Sequence, residues 1–192
     1  MYNFRTDLAL ERRDIYKKVN KLQEIDGVES TEEDINENIK VSRVKIANEN
    51  GEKALGKAIG NYVTIDVKKF KIAGEEEIQK TSEVLSSELQ KMIDLHTDKQ
   101  GEILIVGLGN IYVTPDALGP KVKYLPQYVE EGTRPVSAIS PGVLGTTGIE
   151  TVEILKGIVD NVKPKLLIVI DALASRSIDR ISSTIQISDT GI

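Results

Sequence analysis

The chain has 192 residues, of which 40% are hydrophobic and 29% charged, with a formal net charge of −5 and no cysteine. This composition excludes a wholly disordered chain, and the acidic balance argues against direct nucleic-acid binding, which needs a basic face. Disulfides, thiolate nucleophiles and zinc–sulfur sites are excluded, and without a long apolar run or a signal peptide we expect no membrane contact and a reducing, cytoplasmic location.

The first half of the chain is predicted to combine helices with alternating strands. Acid-rich residues 26–38 predict a solvated loop, and the alternating residues 39–47 and 61–72 predict two strands. The glycines of residues 48–60 between them indicate a hairpin or a loose turn. The first helix is predicted over residues 7–23, from apolar residues near helical spacing: Leu8, Ile15, Val19 and Leu22.

The second half has α/β character and follows a long helix predicted over residues 75–96. Continuous apolar runs fit parallel strands that are buried on both faces, and helical patterns separate these runs. The predicted elements are a strand over 102–109, a helix from Pro115 through Leu118, Val122, Leu125 and Val129, a strand over 136–139, a glycine-rich turn over 140–148, a helix over 149–162, and strands over 165–173 and 183–192. The predicted fold class is α/β: an open, twisted, mixed or mostly parallel sheet with helices on both faces.

Two acids occupy equivalent places after predicted parallel strands. Asp116 lies in the loop after the first of these strands, and Asp171 directly follows five apolar residues of another. Ligand sites form outside the carboxyl ends of such strands, so the two carboxylates meet in one crevice if the strands are neighbours. One acid could then activate a water while the other donates a proton. Structural roles stay open, because Asp116 fits a helix start and Asp171 fits a loop acceptor of backbone N–H groups.

Backbone amides and one histidine complete the candidate groups. The turn over residues 140–148 precedes a helix, so its amides could hold a substrate or an oxyanion, although a tight structural turn is the alternative. The chain's single histidine, His96, lies at a predicted helix end, where it can face the helix dipole. A mechanism that needs two histidines is therefore excluded. The candidate residues of the turn are Gly142, Gly145, Thr146 and Thr147.

Four sequence blocks, in order, resemble the germination protease (spore protease) family. They are RTDLALERRD, VGLGNIYVTPDALGPKV, SPGVLGTTGIET and LLIVIDALASRSIDRISSTIQISDTGI. This family initiates the breakdown of small acid-soluble spore proteins in endospore-forming bacteria, and its fold is similar to that of the hydrogenase-maturation endopeptidases. The resemblance implies an aspartic-type endopeptidase with Asp116 and Asp171 as catalytic residues, and no metal or other cofactor.

The resemblance also implies a self-processing zymogen. Cleavage in the first block falls between Asp7 and Leu8, which makes residues 1–7 a propeptide and residues 8–192 a single α/β protease domain. Family members are described as tetramers, and their substrates place them in the cytoplasm of the spore core. Because they are much longer than this chain, we expect the chain to be truncated at its C-terminus, uncut and inactive as it stands.

Two other functions stay open. A metal-dependent endopeptidase of the maturation type would use Asp116, Asp171 and His96, and a chelator would abolish its activity. A non-catalytic module would instead bind acidic or amphipathic peptides in the same crevice, and it would show saturable binding without cleavage.

Overall fold

A computed structural model describes residues 6–97, 101–122 and 135–191. The chain divides into two compact units, a first unit of residues up to Ile93 together with Leu173–Gly191, and a second unit of Asp94–Ala172. The predicted α/β class is confirmed, because helices combine with two sheets, one of them parallel. In the part of the chain that the structure describes, no helix has both the length and the apolar character needed to cross a membrane.

The first unit is built on an antiparallel sheet. Its strands are β1 (Val28–Asp34), β2 (Ile39–Ile46), β3 (Gly60–Val67) and β7 (Thr184–Ser188), and they are hydrogen-bonded in the order β1-β2-β3-β7. The predicted strands over 39–47 and 61–72 are therefore confirmed and pair with each other, although β3 ends at Val67. A single sheet is predicted, whereas the described strands form two sheets. β1 and β7 extend the antiparallel pair of β2 and β3, and the parallel strands form a sheet of their own.

Helices cover both faces of this sheet. They are α1 (Ala9–Asn20), α2 (Glu49–Leu55) and α3 (Glu75–His96). Val44 and Ile46 of β2 lie in one buried cluster with Ala9 of α1, whereas Val41 lies in a second cluster with Met92 of α3. The apolar pattern of β2 changes phase between Val41 and Val44 because successive parts of the strand contribute to opposite faces.

The second unit is built on a parallel sheet. Its strands are β4 (Ile103–Gly107), β5 (Val136–Ile139) and β6 (Leu166–Ile170), in the order β5-β4-β6. Its helices are α4 (Leu118–Val122), α5 (Leu144–Thr147) and α6 (Thr151–Val162). The predicted strands here are confirmed with small changes at their ends, and the predicted helix positions Leu125 and Val129 lie outside the described residues.

One local prediction is wrong and two are incomplete. The predicted acidic loop contains β1, which is stabilised by pairing with β2 although its residues are mostly exposed. The predicted hairpin is confirmed by the antiparallel pairing of β2 with β3, but its connection over 48–60 contains α2, because Asn48 caps the first N–H groups and Gly56 ends the helix in a left-handed conformation. The predicted first helix is confirmed as α1, but of the apolar residues that indicated it Leu8 is fully buried, whereas Val19 and Leu22 are 59% and 46% exposed.

Candidate active site

The three parallel strands of the second unit bring the candidate segments to one sheet edge. β4 lies between the other two, with Val106 paired to Ile139 of β5 and Gly107 paired to Ile170 of β6. Since all three strands run in the same direction, the segments that follow them leave from the same carboxyl edge. The two aspartates and the 140–148 turn lie in those segments, as the sequence analysis predicts for neighbouring strands.

Asp116 is held by a folded loop between β4 and α4. Its carboxylate Oδ2 accepts a hydrogen bond from the Asn110 N–H at 2.7 Å, and its own N–H donates to the Val113 carbonyl at 2.8 Å. Residues Thr114–Asp116 form a 3₁₀ turn. Pro115 fits its first positions because proline has no backbone N–H, and the N–H groups there have no acceptor within the turn. The carboxylate thus stabilises the loop that precedes it. Helix α4 begins two residues after Asp116, at Leu118.

Glycine is required where this loop closes on Asp116. Gly109 has φ +117°, a conformation that L residues rarely adopt, and a Cβ atom there would lie 2.0 Å from the Asp116 carbonyl oxygen. Gly109 therefore allows close backbone packing around Asp116.

Asp171 follows β6 directly and is half-buried. Its Oδ1 accepts a hydrogen bond from the Ala172 N–H at 2.7 Å. The Leu108 N–H donates to the Ile170 carbonyl at 2.8 Å, which extends the β4–β6 pairing to the residue just before Asp171. The loops that carry the two aspartates therefore begin side by side.

Each carboxylate has one oxygen that accepts no hydrogen bond from the described residues. Among the described residues, no donor contacts Oδ1 of Asp116 or Oδ2 of Asp171. The role of a loop acceptor of backbone N–H groups is thus observed for Asp171. The Asp116 carboxylate accepts from the N–H of Asn110, which precedes it in the chain, and not from the first N–H groups of α4. The remaining oxygens can each accept a hydrogen bond from a water or a substrate.

The start of α4 packs tightly against this edge. A Cβ atom at Gly119 would lie 2.2 Å from the Leu108 carbonyl oxygen and 2.5 Å from the Ile170 carbonyl oxygen. A Cβ atom at Gly107 would lie 2.1 Å from the Gly119 carbonyl oxygen. Two glycines therefore let the α4 backbone touch the ends of β4 and β6, which fixes the base of the candidate site.

The 140–148 turn uses most of its polar groups internally. Thr146 Oγ1 and Thr147 Oγ1 both donate to the Val143 carbonyl, at 2.9 and 3.1 Å. The N–H groups of Val143, Thr146, Thr147 and Gly148 also donate within the turn. Within the described chain, the amides of Gly142, Leu144 and Gly145 have no acceptor. These amides are therefore able to donate a hydrogen bond to a substrate oxygen.

Asp7 and Leu8 lie in the first unit, where the chain is extended before α1. Leu8 is fully buried, whereas the Asp7 side chain is exposed. The Asp7 N–H donates to the Ala174 carbonyl, and the Ala174 N–H donates to Asp7 Oδ2, both at 2.9 Å. Burial lowers the pKa of the nearby Lys57 ammonium, an effect that the negative charge of Asp7 opposes. The segment predicted to be cleaved is thus an ordered part of this unit.

The described residues hold no group of three or more histidine, cysteine, aspartate or glutamate side chains arranged to bind a metal ion. His96 is the last residue of α3, the position at a helix end that the sequence predicts. Its placement agrees with an interaction between a histidine and the helix dipole.

Two polar residues of the site regions were not identified from the sequence. Asn110 binds the Asp116 carboxylate through its backbone, so its side chain gives no signal. Glu11 of α1 is a buried acid that accepts several hydrogen bonds. Its position three residues after Leu8 is that of the acid in a helix capping box, but leucine is not a capping residue and hides this signal.

Comparison with known proteins gives one consistent result. The sequence pattern of the family described as germination protease matches residues 6–192. A germination protease of Clostridium perfringens is 48% identical over 204 aligned residues, which cover 100% of this chain and 62% of the relative. One from Caldanaerobacter subterraneus is 50% identical and one from Priestia megaterium 44%, with 59% and 55% of the relative covered. The chain therefore spans less than two thirds of the length of these relatives.

Proposed function

Because the chain belongs to the germination protease family, we propose that it carries the catalytic centre of an aspartic-type endopeptidase, with Asp116 and Asp171 as catalytic residues. The observation that supports this most is the juxtaposition of the two loops at the ends of β4 and β6. Each loop presents a half-buried carboxylate with one oxygen that no described donor occupies.

The proposed chemistry needs one ionised and one protonated carboxyl group. The ionised aspartate takes a proton from a water molecule as the water oxygen attacks the carbonyl carbon of the peptide bond. The protonated aspartate donates its proton to the peptide nitrogen as the carbon–nitrogen bond breaks, which leaves a carboxyl group and an amine. The free amides of Leu144 and Gly145 are candidate donors to the developing oxyanion.

The finer parts of the proposal depend on the family resemblance. The substrates are small acid-soluble spore proteins, and the site of action is the cytoplasm of the spore core. Residues 1–7 are a propeptide that the enzyme removes by cutting between Asp7 and Leu8, and residues 8–192 are the protease domain. The whole protein is a homotetramer that uses neither metal nor other cofactor.

The first prediction tests the two aspartates. Asp116→Asn and Asp171→Asn should each abolish cleavage of a spore-protein substrate and removal of residues 1–7 in the full-length protein, because neither amide can exchange the required proton. Intact mass followed over time measures both reactions. Asp160→Asn is the matched control, since this acid lies in α6 of the same unit and is exposed. Circular dichroism verifies that each variant is folded.

Each outcome has a definite meaning. If a folded Asp116 or Asp171 variant cleaves at the wild-type rate, that residue has no catalytic role. If a chelator stops the wild-type protein, the metal-dependent alternative replaces the aspartic mechanism. Saturable peptide binding with no cleavage in the full-length protein would support the binding module instead.

A further inference from the structure

The peptide bond between Asp7 and Leu8 has both of its polar atoms engaged in the folded first unit. The Asp7 carbonyl accepts a hydrogen bond from Gln186 Nε2 of β7 at 3.0 Å, and the Leu8 N–H donates to Thr6 Oγ1 at 3.2 Å. Thr6 and Leu8 are 2% and 0% exposed. The bond is therefore held in place by its surroundings on both sides.

The Thr6 hydroxyl connects this bond to a buried acid. It accepts from the Leu8 N–H and donates to Glu11 Oε2 at 2.5 Å. Glu11 is 8% exposed. Burial alone would raise the pKa of Glu11, but the hydrogen bonds that its carboxylate accepts, first that from Thr6, hold this pKa below its ordinary value. An ionised carboxylate thus lies one hydroxyl group away from the Leu8 nitrogen.

The Glu11 carboxylate also binds the loop of residues 175–177, which precedes β7 in the chain. It accepts from Ser175 Oγ at 3.0 Å and from the N–H groups of Arg176 and Ser177 at 3.1 and 3.4 Å. Arg180 Nε lies 3.4 Å from Glu11 Oε1. Residues 175–177 begin four positions after Asp171 in the sequence, so Glu11 joins the N-terminal segment to the stretch of chain that follows this aspartate.

Helix geometry brings Glu11 and the Leu8 nitrogen together. Leu8 is the N-cap of α1 and Glu11 is the third residue of the helix. In a capping box, the acid at this third position accepts a hydrogen bond from the backbone nitrogen of the N-cap residue. Here the Thr6 hydroxyl stands between the two groups and relays the contact. Removing Thr6 would leave a carboxylate facing a nitrogen that it is placed to bind.

We propose that Glu11 is the binding site for the α-ammonium group of Leu8 that cleavage of the Asp7–Leu8 bond creates. This inference rests on the proposed self-processing. Hydrolysis adds water across the bond: the oxygen joins the Asp7 carbonyl carbon, the C–N bond breaks, and the Leu8 nitrogen takes up protons as an ammonium. Thr6 leaves with the released peptide, and the ammonium replaces its hydroxyl beside Glu11.

The charges around this site make Glu11 the natural counter-ion. Arg12 Nε donates to the Thr6 carbonyl at 3.1 Å, and Lys57 lies near both Asp7 and Arg12. Arg180 faces Glu11 through Nε at 3.4 Å, while its Nη1 pairs with Asp66 of β3 at 2.7 Å. Asp14 lies farther along the groove that α1 forms with residues 176 and 177. Asp7 itself leaves with the propeptide. The new ammonium would therefore lie near several positive groups and one buried carboxylate, that of Glu11. Because an unpaired buried charge is unfavourable, the ammonium must pair with Glu11 to remain in place.

The test uses a chain that begins at Leu8, produced from a fusion whose leader is removed by an added protease. This route does not require self-processing, so a failure here is separate from a failure of the proposed function. The pKa of the Leu8 α-amine is measured from the pH dependence of its acetylation by acetic anhydride, read by mass spectrometry of the N-terminal peptide. We expect a pKa above the ordinary range of roughly 7.7–8.0.

Glu11→Gln should return this pKa to the ordinary range or below it. Glu49→Gln is the matched control, because Glu49 is an exposed acid in the first turn of α2, and it should leave the raised pKa unchanged. A wild-type Leu8 amine that titrates in the ordinary range would overturn the proposal.

A second measurement keeps Glu11 intact, in case Glu11→Gln does not fold. The chain with a free Leu8 amine is compared with the same chain acetylated at Leu8. A raised pKa in the folded state stabilises the fold at pH values below the unfolded pKa, and this effect is lost as the pH rises through the folded pKa. The free-amine chain should therefore have the higher Tm at pH 6 and no advantage at pH 11. Equal Tm values at pH 6 would count against the ion pair.

Discussion

Glu88 of α3 shows how one buried charge is held in the first unit. Its side chain is 5% exposed, and Arg43 of β2 donates to both carboxylate oxygens, at 2.9 and 2.7 Å. Lys91 adds a third bond at 2.6 Å. The hydrogen bonds from Arg43 lower the pKa of Glu88 to about 2, against the opposing effect of burial. The acid therefore stays ionised between the helix and the sheet.

This pair predicts a pH dependence of stability. Because the folded pKa of Glu88 is lowered, its stabilising effect is complete above the ordinary carboxyl pKa of 4.5 and is lost as the pH falls towards 2. Glu88→Gln should lower the free energy of unfolding by about 2 kcal/mol at pH 7, a value between those for surface and buried pairs. The difference from wild type should disappear near pH 2.

Urea unfolding at a series of pH values measures this effect. Glu83→Gln, an exposed acid of the same helix that pairs with Lys80, is the control and should follow the wild-type curve. If the Glu88→Gln deficit is as large at pH 2 as at pH 7, the ion pair is not its cause.

The positions of the two candidate catalytic residues could be predicted from the sequence, whereas their surroundings could not. Asp116 and Asp171 each follow a continuous apolar run, and the rule for parallel strands then places them at one sheet edge. The bond from the Asn110 backbone to Asp116 depends on the loop conformation, which side-chain types do not encode. Glu11 was missed for a related reason, since three of its partners, Ser175, Arg176 and Ser177, lie 164–166 positions away in the sequence.

At the scale of elements, strands and helices that bury an apolar face could be predicted from the sequence, whereas an element with mostly exposed residues could not. β1 has the sequence VESTEED and buries neither face, so it lacks the alternation that identifies a strand. Its acids are stabilised by basic residues of neighbouring elements, as in the Glu33–Arg43 and Glu32–Lys40 pairs across to β2. Pairing with the adjacent strand β2, and not a buried face of its own, stabilises β1. α2 did carry local signals, an asparagine N-cap and a C-terminal glycine, but its glycines also fit a turn.

The packing of α4 leads to a prediction for two glycines. Gly119→Ala should destabilise the second unit by about 1–3 kcal/mol or more, because the new methyl group would overlap the backbone of both β4 and β6. Gly157→Ala is the matched control within α6, where a Cβ atom meets nothing within 4 Å. It should stabilise the helix by about 0.5–1 kcal/mol, since alanine is the better helix former.

Thermal unfolding of the two variants in parallel tests this difference in sign. A Gly119→Ala protein as stable as wild type would show that α4 can move away from the strand ends. The close backbone contact at the base of the candidate site would then be unnecessary.

Across the whole molecule, the two units differ in how completely their strands are buried. In the first unit, β2 and β3 contribute fully buried side chains to both core clusters, among them Val41, Ile46 and Ile65. In the second unit β4 is the well-buried strand, while every residue of β6 and α6 is at least partly exposed. Leu167 of β6 is 40% exposed. Resistance to local opening depends on this kind of burial, so it should differ between the sheets.

Amide hydrogen exchange should therefore be slower in β2 and β3 than in β6 and α6. The hydrogen bonds of β2 and β3 lie beneath buried side chains on both faces, and their exchange requires a larger opening. Exchange followed by mass spectrometry, with peptides covering residues 39–67 and 151–170, measures the contrast in one sample. β4 provides an internal control, because it is central and buried and should exchange more slowly than its neighbour β6. If residues 151–170 were as protected as residues 39–67, the two units would open as one cooperative structure, and the exposed apolar side chains of α6 and β6 would not lower local stability.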